Sequence, residues 1–262
     1  RLIIDLSWSS SKFEGNTYSL LETEKLLSEN LTAQGKDHIE TQMILNHKEA
    51  IKFIISNHSE VEFNGFTVKN VHALLSEELL KNPAAGGALR KIPVGIEGSR
   101  YIPLDVPQQI NDEFEFILKK HATIRDPFER ALFILIFIPY LQPFEDLNKR
   151  TSRVCCNIPL IKSGLTPVSF VNIDTQEYID ALKDIYEFND ILKMKNLFMK
   201  AYQYSAERYR LIKTALQAPD PIAVRYRDII KSTVRDCVLA CKKPGSLKLS
   251  GVKKDDKKKY LK

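Results

Sequence analysis

Residues 141–153, LQPFEDLNKRTSR, place one acid pair, two amides and three cations directly behind a long apolar run. Asp146 is a hard oxygen ligand of the kind that holds Mg²⁺ against phosphates. Arg150 and Arg153 are three apart, so on a helix they share a face and can grip two phosphate groups. The stretch joins a buried helix to the start of another. Backbone N–H groups at such a start have no partner within the helix, and the helix dipole favours an anion there. Phe144 is expected to plug the core and fix the loop. The first polar residue is Gln142, whose amide cannot take a proton at neutral pH. On spacing alone, an ordinary helix cap with surface ion pairs explains the stretch as well as a phosphate site does.

The elements that must hold this loop are mostly helical. Glycine is sparse at 10 of 262 residues, and Leu, Ile, Lys and Glu are abundant. Asp126-Pro127-Phe128-Glu129 reads as a helix start, with Asp as N-cap, Pro at the first position and Glu at the third. The run at 131–141, ALFILIFIPYL, is apolar on every side and reads as the central helix of a bundle, with Pro139 helping to end it. It is too short to span a bilayer. TSRVCCNIPLIKSG then restarts a helix, bent by Pro159 and stopped at Gly164. Amphipathic helices are expected over 42–57, through Ile44, Ile51, Ile54 and Ile55. Others follow over 68–82 through Val71, Leu75 and Leu79, over 107–122 through Ile110, Phe114 and Ile117, and over 175–188 and 190–216. Residues 9–27 read as a Ser-capped short helix ending near Gly15 and then a second helix. The exception is 90–103, RKIPVGIEGSRYIP, whose alternating apolar residues around Glu97-Gly98-Ser99 predict a short β-hairpin. Exposed hairpin edges capture extended peptides, although a plain surface connector fits the pattern as well.

Net charge is +6 and uneven. From Pro219 onward there are thirteen Lys or Arg against five Asp or Glu, leaving the preceding residues at −2. QAPDP at 217–221 reads as a linker, followed by a helix over 221–241 and a Lys-rich end. Such an end is a DNA-binding candidate or a solvated tail. Cys155 and Cys156 are adjacent, and Cys237 and Cys241 lie one helical turn apart with no Cys/His pair nearby, so free thiols are expected rather than a zinc site. No secretion signal opens the sequence. The expectation is a cytoplasmic protein with no membrane span.

The 142–153 stretch resembles the signature of Fic (Fido) domains, His-Pro-Phe-x-Asp/Glu-Gly-Asn-Gly/Lys-Arg-x-x-Arg. Pro143, Phe144, Asp146, Asn148, Lys149, Arg150 and Arg153 match it. ILNHKEAI at 44–51 resembles the family's early helix, and GSRYIP at 98–103 its target-positioning flap. Ser10, Glu14 and Gly15 resemble its inhibitory helix, placed here at about 9–16. DPIAVRYRDII at 220–230 resembles the segment after the core, so the resemblance spans roughly 9–240. It implies an all-α Fic-type bundle with a hairpin flap over 1–218, followed by a basic appendage over 219–262.

By the same resemblance the substrate is ATP with Mg²⁺, and the reaction is transfer of AMP to a protein hydroxyl. Asp146 would be the metal ligand. Asn148 and the loop amides, from Leu147 and Lys149 among others, would form the anion hole. Arg150 would bind phosphates. Arg153 would bind the γ-phosphate or else pair with Glu14, which is the family's brake. Tyr178 and Tyr186 fall where the family builds its adenine pocket, although core packing accounts for them equally. The protein target would dock on the 90–103 flap, and homodimers are common in the family.

Two positions depart from the pattern. Gln142 stands where the general-base His belongs, and general-base catalysis is worth about 10²–10⁴-fold. Leu147 stands where Gly is usual, and a branched side chain there is expected to crowd a backbone of positive φ or one that approaches phosphate. Three readings stay open: AMP transfer by an atypical route, removal of AMP with Glu14 activating a water, and a non-catalytic nucleotide-binding or DNA-associated module.

Overall fold

A computed structural model describes residues 1–216 and Tyr226. The chain divides into two compact units, Arg1–Tyr209 and Arg210–Lys262. Of the second unit, the described residues are the end of a helix and Tyr226, which lies in a turn. The linker at 217–221, the basic helix, the Lys-rich end, the 220–230 segment and Cys237 and Cys241 fall outside the described residues.

The first unit is built from helices. α1 (Leu2–Lys12) and α2 (Leu20–Glu29) come first, then α3 (His38–Ser56) and α4 (Gly65–Ser76). α5 (Pro107–Thr123) and α6 (Pro127–Leu141) form the next pair, followed by the short α7 (Asn148–Cys155) and α8 (Asn157–Lys162), then α9 (Thr175–Phe188) and α10 (Leu192–Leu216). Most starts carry the cap that the sequence advertises. Ser19 and Glu22 close a reciprocal capping box on α2, and Asp37, Asn64 and Asp174 cap α3, α4 and α9.

α6 shows how sequence sets position. The Asp126 carboxylate accepts from the N–H groups of Phe128 and Glu129 at 2.9 and 3.0 Å, and Pro127 fills the first helical position, where no N–H is needed. Ala131, Ile134, Leu135, Ile136, Ile138 and Leu141 are then all buried. Burying each large aliphatic side chain contributes about 1.5–3 kcal/mol. The helix packs against α5, α7, α8 and α9, which makes it the axis of the bundle. It runs through Pro139 and stops at Gln142, whose φ of 52° and ψ of 57° are left-handed. The reversal turns the chain out of the core and begins the loop.

Three local expectations need correction. The first helix does not start at the serines. α1 begins at Leu2, and Ser9, Ser10 and Ser11 lie buried in its last turn. Their hydroxyls serve tertiary partners, as Ser9 bonds Ser169 O and Ser10 bonds His47. The β-hairpin does not form, and among the described residues there is no strand. Residues 90–103 run as a flap closed by a turn, in which Ser99 N–H donates to Ile96 O at 3.1 Å and Gly98 takes φ +72°. Pro93 and Pro103 have no N–H to give a ladder. The buried Arg90 guanidinium instead takes up Ile92 O at 2.9 Å and Leu104 O. Finally, the bend expected from Pro159 is a break at Cys156, which separates α7 from α8 three residues ahead of the proline. Cys155 and Cys156 are free and buried.

Candidate functional site

The loop between α6 and α7 is braced from inside. Asn148 is its staple: its Oδ1 accepts from Phe144 N–H at 3.0 Å, and its Nδ2 donates to Phe144 O at 2.9 Å and to Gln142 Oε1 at 2.8 Å. Gln142 Nε2 donates to Pro139 O at 2.6 Å. The Gln142 amide is therefore engaged through both its oxygen and its nitrogen. Arg90 Nε donates to Gln142 O at 2.5 Å, and Arg90 N–H to Pro143 O at 2.9 Å, fastening the flap to the loop. Phe144 is fully buried and lies flat against the His72 ring, centroids 3.9 Å apart.

Leu147 has φ +60°, the left-handed backbone that the glycine of the Fic pattern would adopt freely. Its side chain does not crowd the outer face of the loop. It is 2% exposed and belongs to the hydrophobic core. The backbone penalty is about 1–2 kcal/mol, and burial of the leucine offsets it. Outside, Leu147 N–H donates to Asp146 Oδ1 at 2.5 Å, and no side chain caps the start of α7. The Asp146 side chain is 65% exposed. Arg150 is buried and reaches Asp146 Oδ2 only at 3.5 Å, and its Nε has no hydrogen-bond partner. An uncapped helix start, a buried guanidinium with a donor to spare and one exposed carboxylate make a site that can take a phosphate with a cation. Among the described residues no group of three or more His, Cys, Asp or Glu could hold a metal by itself. A single carboxylate suits Mg²⁺, which keeps its waters and shares phosphate oxygens.

Arg153 is wholly buried and directed at α1. It donates to Ser10 Oγ at 2.9 Å, Ser10 O at 3.1 Å, Tyr178 OH at 3.2 Å and Glu14 Oε1 at 2.6 Å. The Phe13 and Tyr178 rings stack at 4.6 Å, and the guanidinium carbon lies 5.3 and 5.2 Å from their centroids. Tyr178 is thus packed under α1. Lys149 Nζ approaches Glu14 Oε2 at 3.4 Å. Burial alone would raise the Glu14 pKa, but Arg153, Lys149 and Arg150 override it and pull it down to about 2. Gly15 follows at φ +87°, a backbone that only glycine takes without strain.

Tyr186 is 5% exposed, stacks parallel to Tyr101 with centroids 5.7 Å apart, and keeps its hydroxyl buried beside Gln142. Burial pushes that phenol well above its ordinary pKa. Tyr101 and Tyr186 line a cavity of about 320 Å³ with Arg100, Glu187 and Phe188. A larger apolar groove of about 490 Å³ runs behind the flap, past Tyr101, Ile102, Phe116, Phe137 and Tyr140.

Several residues that position the site escaped the sequence reading. His47 on α3 donates from Nδ1 to Met43 O at 2.7 Å, so its Nε2 accepts the Ser10 hydroxyl proton at 2.8 Å. Burial pulls its pKa down to about 3, which keeps it neutral. Ser10 in turn accepts from Arg153. The fully buried Asp5 ties α1 to α10 through Arg208, at 2.7 and 3.2 Å. Arg90 and His72 hold the loop itself. The available signal was a polar residue on an apolar helix face, which describes His47 and His72, but not the partner of either.

Fold and site together define an all-helical domain whose central helix turns through a braced loop into an open, arginine-bearing helix start. Residues 62–160 match the Fic/DOC family. Among curated relatives, a protein adenylyltransferase Fic from Nematostella vectensis is 27% identical over 179 residues, 67% of this chain and 41% of that protein. One from Aedes aegypti is 27% identical over 220 residues, covering 82% and 43%. This chain therefore spans about two fifths of the length of these relatives. Among solved structures, Fic-1 from C. elegans superposes with a TM-score of 0.64 at 23% identity, over 81% of this chain and 64% of that one. A Fic family protein from Desulfovibrio desulfuricans gives 0.68 at 17% identity, over 87% and 70%. These likenesses establish the fold.

Proposed function

We propose that this domain binds ATP with Mg²⁺ on the 142–153 loop and transfers AMP to a hydroxyl of a protein target, under restraint by Glu14. The observation that carries the reading is the buried Arg150, with an unpartnered Nε beside the uncapped start of α7 and the exposed Asp146 carboxylate. Asp146 would hold the Mg²⁺, which when bound neutralises phosphate charge. The Leu147, Asn148 and Lys149 amides, with Arg150, receive phosphate oxygens. The adenylyltransferase names of the relatives point the same way.

In the transfer the target hydroxyl oxygen bonds to the α-phosphorus, the bond to the β-phosphate bridge breaks, and pyrophosphate leaves. Gln142 takes no part in removing the hydroxyl proton, because its amide has no basicity and is spent on Asn148 and Pro139 O. The proton passes to solvent, and a slow enzyme is the consequence. Glu14 limits the reaction by occupying Arg153, which would otherwise hold the γ-phosphate. The flap at 90–103 would present the target, fastened by Arg90 and by Tyr101, whose hydroxyl donates to Tyr140 O at 3.0 Å.

The test is labelling by ATP and Mg²⁺, read as a mass increment on the chain or on lysate proteins, for wild type, Glu14→Gly and Gln142→His. Labelling should rise in Glu14→Gly. It should rise further, towards 10²–10⁴-fold, when Gln142→His is added. Release of AMP from a modified protein, lost in Glu14→Gly, would replace transfer with removal. Nucleotide binding with neither product in any variant would leave a binding module.

A further inference from the structure

The geometry points to His72 of α4 as the positioning residue that turns the Asp146–Leu147 peptide so that its N–H faces the phosphate side of the loop. The proposal rests on the nucleotide reading of that loop and adds a residue outside it. His72 is fully buried, and its proton placement is fixed from both sides. Gly87 N–H donates to His72 Nδ1 at 2.9 Å, so Nδ1 is the acceptor and the neutral ring carries its proton on Nε2. That Nε2–H donates to Asp146 O at 3.2 Å. Phe144 lies on the ring at 3.9 Å, 11° from parallel, and prevents it from swinging.

The consequence follows from peptide planarity. In a trans peptide the C=O and the following N–H point in opposite directions. With Asp146 O drawn inward to His72, Leu147 N–H must point outward. There it is covered by the Asp146 carboxylate at 2.5 Å. When that carboxylate turns to a cation, the N–H is left aimed at whatever anion the cation brings. Gly87 completes the device. It takes φ +74°, and a Cβ there would lie 2.9 Å from Lys69 O, so only glycine brings this N–H to the ring.

Two substitutions separate the bonds. His72→Gln can still donate to Asp146 O but cannot also serve Gly87. His72→Asn can accept from Gly87 but falls short of Asp146. Both are made in the Glu14→Gly chain and read in two ways: amide hydrogen exchange over residues 146–150 without ligand, and ATP·Mg²⁺ affinity by calorimetry. The expected result is fast exchange and affinity weakened by about tenfold or more in Asn, the scale of one hydrogen bond to a charged partner. Gln should stay within about threefold of its parent, with both variants losing thermal stability. Equal effects of Gln and Asn on exchange and affinity would overturn the assignment and reduce His72 to packing. A parent that fails to bind ATP·Mg²⁺ while the exchange difference persists would remove the nucleotide reading and leave the positioning role standing.

Discussion

Replacing Glu14 with Gln removes the one negative charge facing Arg153 while keeping the shape of the side chain. The guanidinium is fully buried, and its shortest bond, 2.6 Å, is the one to Glu14. Removing one partner of a buried ion pair destabilises by about 3–5 kcal/mol, because the other charge stays buried. Arg153 keeps Ser10 Oγ, Ser10 O and Tyr178 OH as acceptors, so the low end, about 3 kcal/mol, is expected. For a domain of this size that lowers Tm by roughly 6–12 °C. A phosphate ligand should then return what the carboxylate supplied. At a free ATP·Mg²⁺ concentration of about 100 Kd the gain is about 2.7 kcal/mol, close to the loss. Wild type, with Glu14 holding the same Arg, should gain less than half as much at the same concentration. Thermal melts of both chains with and without ATP·Mg²⁺ measure all four values. Equal nucleotide shifts in the two chains would refute the competition between Glu14 and phosphate. A variant as stable as wild type would refute the energetic role of the pair.

Two further outcomes follow from buried groups around the loop. The buried His47 has its pKa drawn down to about 3 from 6.5, so its contribution is fully present above pH 6.5 and is lost as pH falls towards 3. At pH 5 this amounts to about 2 kcal/mol, and the buried His72 and His121, whose pKa values are drawn down to about 4, act in the same direction, so a Tm series from pH 8 to 5 should fall and His47→Gln should lessen that fall without abolishing it. Glu14 acts in the same direction but in a lower window: its lowered pKa gives stability that is full above 4.5 and lost as pH falls towards 2, so it adds little to that series. Leu147→Gly relieves about 1–2 kcal/mol of left-handed strain but empties a core position worth more, so urea unfolding should show a net loss of about 1–3 kcal/mol. Its ATP·Mg²⁺ affinity should match that of wild type, since the side chain faces the core, and a variant more stable than wild type would refute that account.

How much of this was written in the sequence depends on the range over which each feature acts. Caps and apolar periods are local, so Asp126-Pro127 and the stripe through Ile110, Phe114 and Ile117 gave helices whose ends lie within a few residues of expectation. The motif at 142–153 was singled out by its resemblance to the Fic signature, because spacing alone left an ordinary helix cap equally open. The flap failed as a hairpin because alternation alone could not foresee that Arg90 would take up its carbonyls. The serines of α1 were misread as a cap because their partners lie on α3, α7 and the segment before α9. His72 and Asp146 are 74 positions apart, and Ser10 and Arg153 are 143 apart. Composition and spacing decided which residues could bind a phosphate. Only the packed bundle decided which way the Asp146–Leu147 peptide turns, because a peptide plane is turned by whatever side chain the fold carries to its carbonyl.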